Sequence, residues 1–386
     1  MRPWNGTGWN IYHLYLYLLQ PSPMDSTLLF AGLCLMLVCT FEFINWFHDT
    51  ANAVAPVIYS NSLAPKKAVL LAAFFNFLGV VVGGTWVAIG IMKLLPLDKI
   101  ANSSLAFGIC AVLSLLIAAI IWNFGTWYMG LPASSSHTLI GSILWVSLVM
   151  NYMDSSVVLP MKKVIDTFES LLFSPFIGFM LAFGAMHLLH LYVRNSDFFQ
   201  HPGKFWNKYP KTWIKTTLIG SSILVSFAHG SNDGQKGVGL AMLILIAFFP
   251  TMYDIPGIIG GTEDIPYWVI IMISISLGLG TMVGWKRIVV TIGEKIGKDK
   301  LTYAQATVAS LMTAITIQIA SYLHLPVSTT HIMSSGVAGT MAHEHGKWGL
   351  QGGTIKAILM AWVLTLPVST LLAGGIFWIL QSIFVA

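Results

Sequence analysis

Along this chain the apolar positions come in ten long runs, with little sign of the striped rhythm of a helix that faces water on one side. They fall at about 26–60, 68–92, 105–124, 137–153 and 174–193, then at 213–250, 267–285, 303–322, 331–345 and 355–385. Most are close to the roughly 20 residues that a helix needs to cross a bilayer. A run that is apolar on every face predicts a helix with apolar surroundings on every side. The first and sixth runs are longer than the rest and are interrupted by polar residues. Near 131–137 and 325–331, proline and hydroxyl residues mark a bend. The pattern predicts an all-α polytopic membrane protein.

Composition strengthens this reading. Of the 386 residues, 56% are hydrophobic and 9% are charged, against about 25% charged in a soluble domain. Cys34, Cys39 and Cys110 lie in apolar runs without paired spacing, as small buried hydrophobes do. The first 25 residues, with "WNGTGWNIYHLYLYLLQPSP", lack the continuous apolar core of a signal peptide. Their Trp and Tyr suit a membrane interface, so 1–25 is read as an interfacial tail.

Charge adds orientation. The net +5 is concentrated in links, with no basic surface for nucleic acid. Arg194, Lys204, Lys208, Lys211 and Lys215 fall in the central link, Lys286, Arg287, Lys295, Lys298 and Lys300 in a second, and Lys66 and Lys67 in a third. Basic links stay on the cytoplasmic side. The link 251–266, with Asp254, Glu263, Asp264 and no basic residue, belongs outside. Five crossings on each side of the central link satisfy these assignments and put both termini outside.

An odd number of crossings inverts the second half relative to the first, and two halves are visible. "FINWFHDTANAVA" at 43–55 aligns with "FAHGSNDGQKGVG" at 227–239, an offset of 184 that matches Asp49 to Asp233. "LPASSSHTL" at 131–139 aligns with "LPVSTTHIM" at 325–333, an offset of 194 that matches Pro132 to Pro326 and His137 to His331. The expected organisation is a first transmembrane repeat at 26–193, a basic cytoplasmic linker at 194–212 and a second repeat at 213–386. Inverted-topology repeats with interrupted helices, and re-entrant or hairpin-like Pro-Ser/Thr motifs, are the architecture of secondary transporters, which bind substrate at the repeat interface.

Glu42, Asp49, Asp233 and Lys236 are ionisable residues well inside the apolar runs, away from their ends. Each costs about 2.5–3.5 kcal/mol at a helix centre, so they point to function. Asp49 and Asp233, with Asn52 and Asn232, make a hard-oxygen set suited to Na⁺ or a proton. His48 and Asp49 are adjacent, which does not suit zinc chelation. Gly230, Gly234, Gly237 and Gly239 would permit an opened backbone in the sixth run. In the other motif, Ser134, Ser135, Ser136, Ser328, Thr329 and Thr330 fall at the start of a helix. There hydroxyls cap, and outward N–H groups attract an anion. Lys236 either pairs with Asp233 at i, i+3 or meets the anion directly. His137 and His331 either relay protons or serve as structural hydrogen-bonding groups. Glu42 carries the same two readings.

These residues resemble the inorganic phosphate transporter family (PiT), and most closely its bacterial low-affinity branch. "NWFHDTANAVAPVIY", "AHGSNDGQKGVGLAML", "WYMGLPASSSHTLIGS", "LPVSTTHIMSSGVAGTM" and "GWKRIVVTIGEKIGK" carry the likeness, which runs from about residue 26 to the C-terminus. The resemblance implies a symporter of inorganic phosphate in the plasma (inner) membrane, without a cofactor, with a homodimer left open. It implies that Asp49, Asn52, Asn232, Asp233, Ser134–Ser136 and Ser328–Thr330 form the site. His48 and Gly234-Gln235-Lys236 depart from the wider family's Asn-Asp motif as the bacterial branch does. That implies coupling to H⁺ with Na⁺ as the alternative, and phosphate carried in a complex with a divalent metal. The family's long soluble insertion after Pro250 is absent. Two rivals stay open: a divalent-cation transporter using the aspartates alone, and a membrane enzyme, for which no nucleophile–base pair is found.

Overall fold

The structure, a computed structural model, describes residues 23–94, 105–153, 161–193, 197–202, 210–249 and 265–384. The expected interfacial tail to residue 22, the acidic residues of the expected outer link and Arg194, Lys204 and Lys208 of the central link lie outside the described residues. Twelve α-helices occur among those described. In the first half they are α1 (Pro23–Tyr59), α2 (Pro65–Val82), α3 (Trp86–Met92), α4 (Leu105–Met129), α5 (Ser135–Met153) and α6 (Met161–Tyr192). In the second they are α7 (Thr212–Phe248), α8 (Tyr267–Val283), α9 (Lys286–Val290), α10 (Tyr303–Tyr322), α11 (Thr329–His345) and α12 (Gly352–Phe384). A π-helical turn, Thr291–Lys295, continues α9.

The chain is a multi-pass membrane protein. Six of these helices are long and apolar enough to span a bilayer, and α8 with the Lys286–Lys295 segment, bent by 57°, makes a seventh candidate. Long apolar side chains stand outward on α6 and α12, among them Leu172, Phe176, Met180, Leu359, Val363 and Trp378, as lipid contact requires. Cys34, Cys39 and Cys110 are free, and Cys34 and Cys110 are buried.

The two series of six helices match in order and packing. Helices α1 and α7 are each 37 residues long and pack on one another. Helix α2 packs on α7 and α8 on α1; α6 packs on α11 and α12 on α5; α4 packs on α12 and α10 on α6. Each half therefore packs extensively on the other. Between α4 and α5, and again between α10 and α11, a short non-helical link holds the Pro-hydroxyl motif and turns the chain into a helical hairpin.

The backbone is interrupted at those links and between α2 and α3, but not at the polar residues of the first and sixth runs. Contrary to the expectation of an opened backbone there, α1 and α7 stay helical through Asp49 and Asp233. The reason lies in packing. A Cβ on Gly230 would meet the carbonyl of Asn76, and one on Gly79 the carbonyl of Phe227. The glycines bring α7 and α2 into backbone contact, the use small residues find between membrane helices.

Two hydrophobic cores result, and both long helices pass through both. The first half of α1 (Ala31 to Trp46) shares one core with the last part of α7 (Val238 to Phe248). The end of α1 (Ala51 to Val57) shares the other with the start of α7 (Ile214 to Ala228). The polar stretches of both helices lie between these cores.

Gly230→Ala therefore forces α7 away from α2. It is expected to destabilise the protein by about 1–3 kcal/mol, as overpacking does. Gly220→Ala, on the same helix with nothing within 4 Å of the new methyl, is expected to be neutral or stabilising by up to about 1 kcal/mol. Thermal unfolding in detergent, followed by size-exclusion recovery, checks the contrast; equal effects would contradict the packing account.

Candidate functional site

Asp49 on α1 and Asp233 on α7 are buried, at 1% and 0% exposure. A buried carboxylate must find donors, and the first turn of α11 supplies them. Thr329 Oγ1 donates to Asp233 Oδ2 at 2.6 Å and lies 3.5 Å from Asp49 Oδ1. Thr330 Oγ1 donates to Asp49 Oδ1 at 2.9 Å. The two aspartates, one from each half, thus converge on adjacent hydroxyls.

The arrangement is built twice with different residues. In one copy Asn52 Nδ2 reaches back one turn to Asp49 Oδ1 (3.5 Å) and donates across to Thr330 Oγ1 on α11 at 3.1 Å. In the other, Lys236 pairs one turn back with Asp233 and donates across to Ser136 Oγ on α5. Asn52 and Lys236 are 184 residues apart, and Ser136 and Thr330 are 194 apart, the offsets read from the sequence. Lys236 also donates to the carbonyl of Val327 at 3.3 Å, so its three N–H donors are all engaged. Ser136 Oγ donates to that same carbonyl at 2.8 Å. The ammonium thus ties α7 to the start of α5 and to the link before α11.

Ser134 and Ser328 are the helix caps. Ser134 Oγ accepts from the backbone N–H of His137 at 3.2 Å, and Ser328 Oγ from that of His331 at 3.3 Å. Ser134 Oγ also lies 2.8 Å from His137 Nδ1. Ser135 is buried beside them. The rings of His137 and His331 touch, with centroids 4.7 Å apart, so the two hairpins meet at their starts.

Charge does not balance at this centre. Counted as ionised, the two aspartates and the buried Glu42 beside them outnumber the single ammonium, which leaves negative charge for a cation to neutralise. Oxygens are available for it. Glu42 Oε1, Asn45 Oδ1, Asp49 Oδ2 and Asn52 Oδ1 are buried without a hydrogen-bond partner. Residues 42, 45, 49 and 52 share one face of α1, by helical spacing. Glu42 fits because residue 237 is glycine: a Cβ there would lie 2.7 Å from its Oε1. Its other oxygen accepts from Trp46 Nε1 at 3.3 Å.

Two predicted site residues bond to groups other than the carboxylates, and Asn232 accepts from the backbone N–H of Val327 in the link that Lys236 also meets. His48 Nε2 donates to the carbonyl of Asn123 on α4 at 2.9 Å, with Thr126 Oγ1 3.4 Å away. Asn232 Nδ2 donates to Ser321 Oγ on α10 at 2.9 Å and to the carbonyl of Leu325 at 3.3 Å. Both occupy the position before their aspartate, and both fasten a long helix to the first arm of a hairpin. Sequence reasoning passed over His229, which is fully buried with both ring nitrogens unpartnered. Asn45, which shares the α1 face of Glu42 and Asp49, likewise stands outside the set predicted from sequence. Their signal was the polar residue inside an apolar run. Among the described residues no group of three His, Cys, Asp or Glu is set to hold a metal.

Paired polar sets lie where the two longest helices pack on one another, and the proteins that this chain matches are membrane transporters rather than enzymes. The chain belongs to the phosphate transporter family, whose sequence model matches residues 45–373. It is 36% identical to the low-affinity inorganic phosphate transporter PitA of Escherichia coli K12, over 91% of this chain and 97% of that one. That alignment spans 487 positions, more than this chain has residues, so PitA carries inserted sequence that is missing here. The chain is 35% identical to a probable low-affinity inorganic phosphate transporter of Bacillus subtilis, over 94% of this chain and all of the other. A solved structure titled as the sodium-dependent phosphate transporter matches the fold with a TM-score of 0.75 at 24% identity, over 93% of this chain and all of that one.

Because Lys236 is enclosed, Lys236→Met leaves Asp233 as an uncompensated buried charge, at an expected cost of about 3–5 kcal/mol. Adding Asp233→Asn removes that charge and should restore most of the lost stability. Unfolding midpoints of the two single variants and the double variant check this; a double variant no better than Lys236→Met would contradict the pairing.

Proposed function

We propose that this phosphate transporter imports inorganic phosphate across the plasma (inner) membrane by symport with protons, through alternating access of two inverted repeats. The observation that carries the reading is the centre itself, where two carboxyl groups from opposite halves share adjacent hydroxyls beside a single ammonium. A proton taken up with phosphate neutralises Asp49 or Asp233. Phosphate then meets the first turns of α5 and α11, where Ser134–Ser136 and Ser328–Thr330 offer hydroxyls and outward N–H groups. Asn52 and Lys236 are poised beside both turns and complete the proposed anion site. His137, His331 and Glu42 are the proposed relay between this centre and the two sides.

Energetics require such coupling. One net negative charge moved into a cell held 100 mV negative costs about 2.3 kcal/mol, so the anion must travel with at least compensating cations. Carriage as a neutral complex of hydrogen phosphate with a divalent metal would meet the same requirement, the metal then being cargo. The match between halves supports the inverted repeat: every strong packing pair of helices has its counterpart on exchange of the halves. Rocking of one half against the other would expose the centre to each side in turn. Both termini lie outside in this reading.

Sodium as the coupling ion is the second reading. The row of unpartnered oxygens from Glu42 to Asn52 favours it, since hard oxygens suit that ion, and the neighbour of similar fold is titled as sodium-dependent.

Uptake of radiolabelled phosphate into proteoliposomes tests the reading, with proton and sodium gradients imposed separately, each with and without Mg²⁺. Uptake driven by the proton gradient without sodium is the expected result. Uptake that needs sodium would overturn proton coupling in favour of the second reading, and no uptake under any gradient would overturn both.

A further inference from the structure

Gly130 and His324 each follow the first arm of a hairpin, and they are 194 residues apart, the offset of the Pro-hydroxyl motif. Both have a left-handed backbone, with φ of +70° at Gly130 and +59° at His324. Glycine adopts that conformation freely, whereas a residue with a side chain seldom does. The second hairpin therefore keeps a side chain where the first turns on glycine, and backbone strain of this kind collects at functional positions. The contact of the His324 ring shows its use. It lies flat on Trp86 at the start of α3, with centroids 4.6 Å apart and planes 16° apart. A Cβ on Gly90, one turn further along α3, would lie 3.2 Å from the His324 carbonyl, so helix and turn are in close contact.

The first hairpin is held in a corresponding way from the other half. Helix α9 follows α8 as α3 follows α2, and it packs on α4 as α3 packs on α10. Arg287 on α9 sits over the Trp127 and Tyr128 rings at the end of α4, 5.3 Å and 4.9 Å from their centroids. It also donates to the Tyr128 carbonyl at 2.9 Å. Trp127 Nε1 donates to the carbonyl of Gly284 at 2.7 Å, and Thr291 Oγ1 to that of Gly130 at 2.8 Å. Each turn is thus clasped by the short helix of the opposite half. Trp86, His324, Tyr128 and Arg287 are exposed. Ala133 and Val327, three positions beyond each turn, are buried at 1% and 4% exposure.

We propose that the two clasps are the gates of this protein. The Trp86–His324 stack closes the centre from the outer side, and Arg287 with Trp127 and Tyr128 closes it from the cytoplasmic side. The sides follow from the basic links: α9 begins in one at Lys286, whereas α2 leaves another at Lys66 and Lys67 and is long enough to cross the bilayer before α3 begins. Both clasps are engaged here, and neither Asp49 nor Asp233 is exposed. Ring stacking and an exposed cation–π contact are weak enough to be released in turn. Release of one clasp frees one hairpin turn and uncovers Val327 or Ala133, while the other clasp stays shut. The part played in transport rests on the function proposed above; the control of access does not.

The test places a reporter cysteine, Val327→Cys or Ala133→Cys, in the full chain with its three cysteines replaced by alanine. A membrane-impermeant thiol reagent is added to spheroplasts and to inverted vesicles of a bacterial host. His324→Gly is expected to raise labelling of Val327→Cys several-fold in spheroplasts without lowering the unfolding midpoint, because it relieves the backbone. Trp86→Ala should raise the same labelling, and Trp86→Phe, which keeps a ring for His324 to stack on, should not. Arg287→Gln should raise labelling of Ala133→Cys in inverted vesicles and leave Val327→Cys as it was. Unchanged labelling with His324→Gly, or a rise of both reporters with any one substitution, would overturn the gates. Each reporter answering its own clasp, but from the exchanged side, would support the gates and overturn the orientation proposed above. Phosphate uptake by His324→Gly in the otherwise unaltered chain is expected to fall several-fold; normal uptake beside raised labelling would overturn the part played in transport.

Discussion

Two carboxyl groups buried inside a membrane protein need hydrogen-bond donors, and the protein must supply them. That need organises this structure. A residue such as Asp49 or Asp233 is costly within a spanning helix, and its own helix has already used its backbone N–H groups. The donors come from the first turn of another helix, which is the part of a helix with hydroxyl caps and free N–H groups. Asp49 is met by Thr330 and Asp233 by Thr329, so the hairpin α10–α11 must end where α1 and α7 cross. Lys236 then reaches Ser136 and fixes the start of the other hairpin at the same place.

The surrounding architecture follows from keeping that meeting point dry and fixed. Each long helix contributes to both hydrophobic cores, which holds the polar stretches between them. Gly79 and Gly230 allow α2 to lie directly on α7. The helices that pack between halves do so in matching pairs, so a movement of one half against the other changes both hairpins at once. A site made of one half alone would not report on such a movement; this one is shared bond by bond. The two copies differ most in charge at two matched positions, Asn52 against Lys236 and Glu42 against Ser226.

Much of this was legible in the sequence because a membrane makes polar residues conspicuous. The ten apolar runs coincide with the ten longer helices, and the offsets of 184 and 194 matched residues that take equivalent places around the two aspartates. Ser134 and Ser328 read as caps because proline precedes them by two positions. What was not legible depended on the third dimension. Glycines in α7 suggested an opened backbone, yet glycine serves close approach as readily as flexibility, and only the neighbours, Asn76 and Glu42, decide between them. His48 and Asn232 adjoin their aspartates in sequence, but adjacent residues on a helix point about 100° apart. Their hydrogen bonds go to the first arms of the hairpins and, for Asn232, also to the link before α11. The row from Glu42 to Asn52 needed the knowledge of which oxygens find partners.

The central claim is that one aspartate from each half works at a single shared centre. Phosphate uptake by Asp49→Asn and by Asp233→Asn, each compared with the unaltered protein at equal amounts in the membrane, tests it most directly. The account predicts that either substitution abolishes uptake while the protein remains inserted in the membrane, since an amide keeps the size and one acceptor oxygen but loses the charge. Normal uptake by either variant would contradict it.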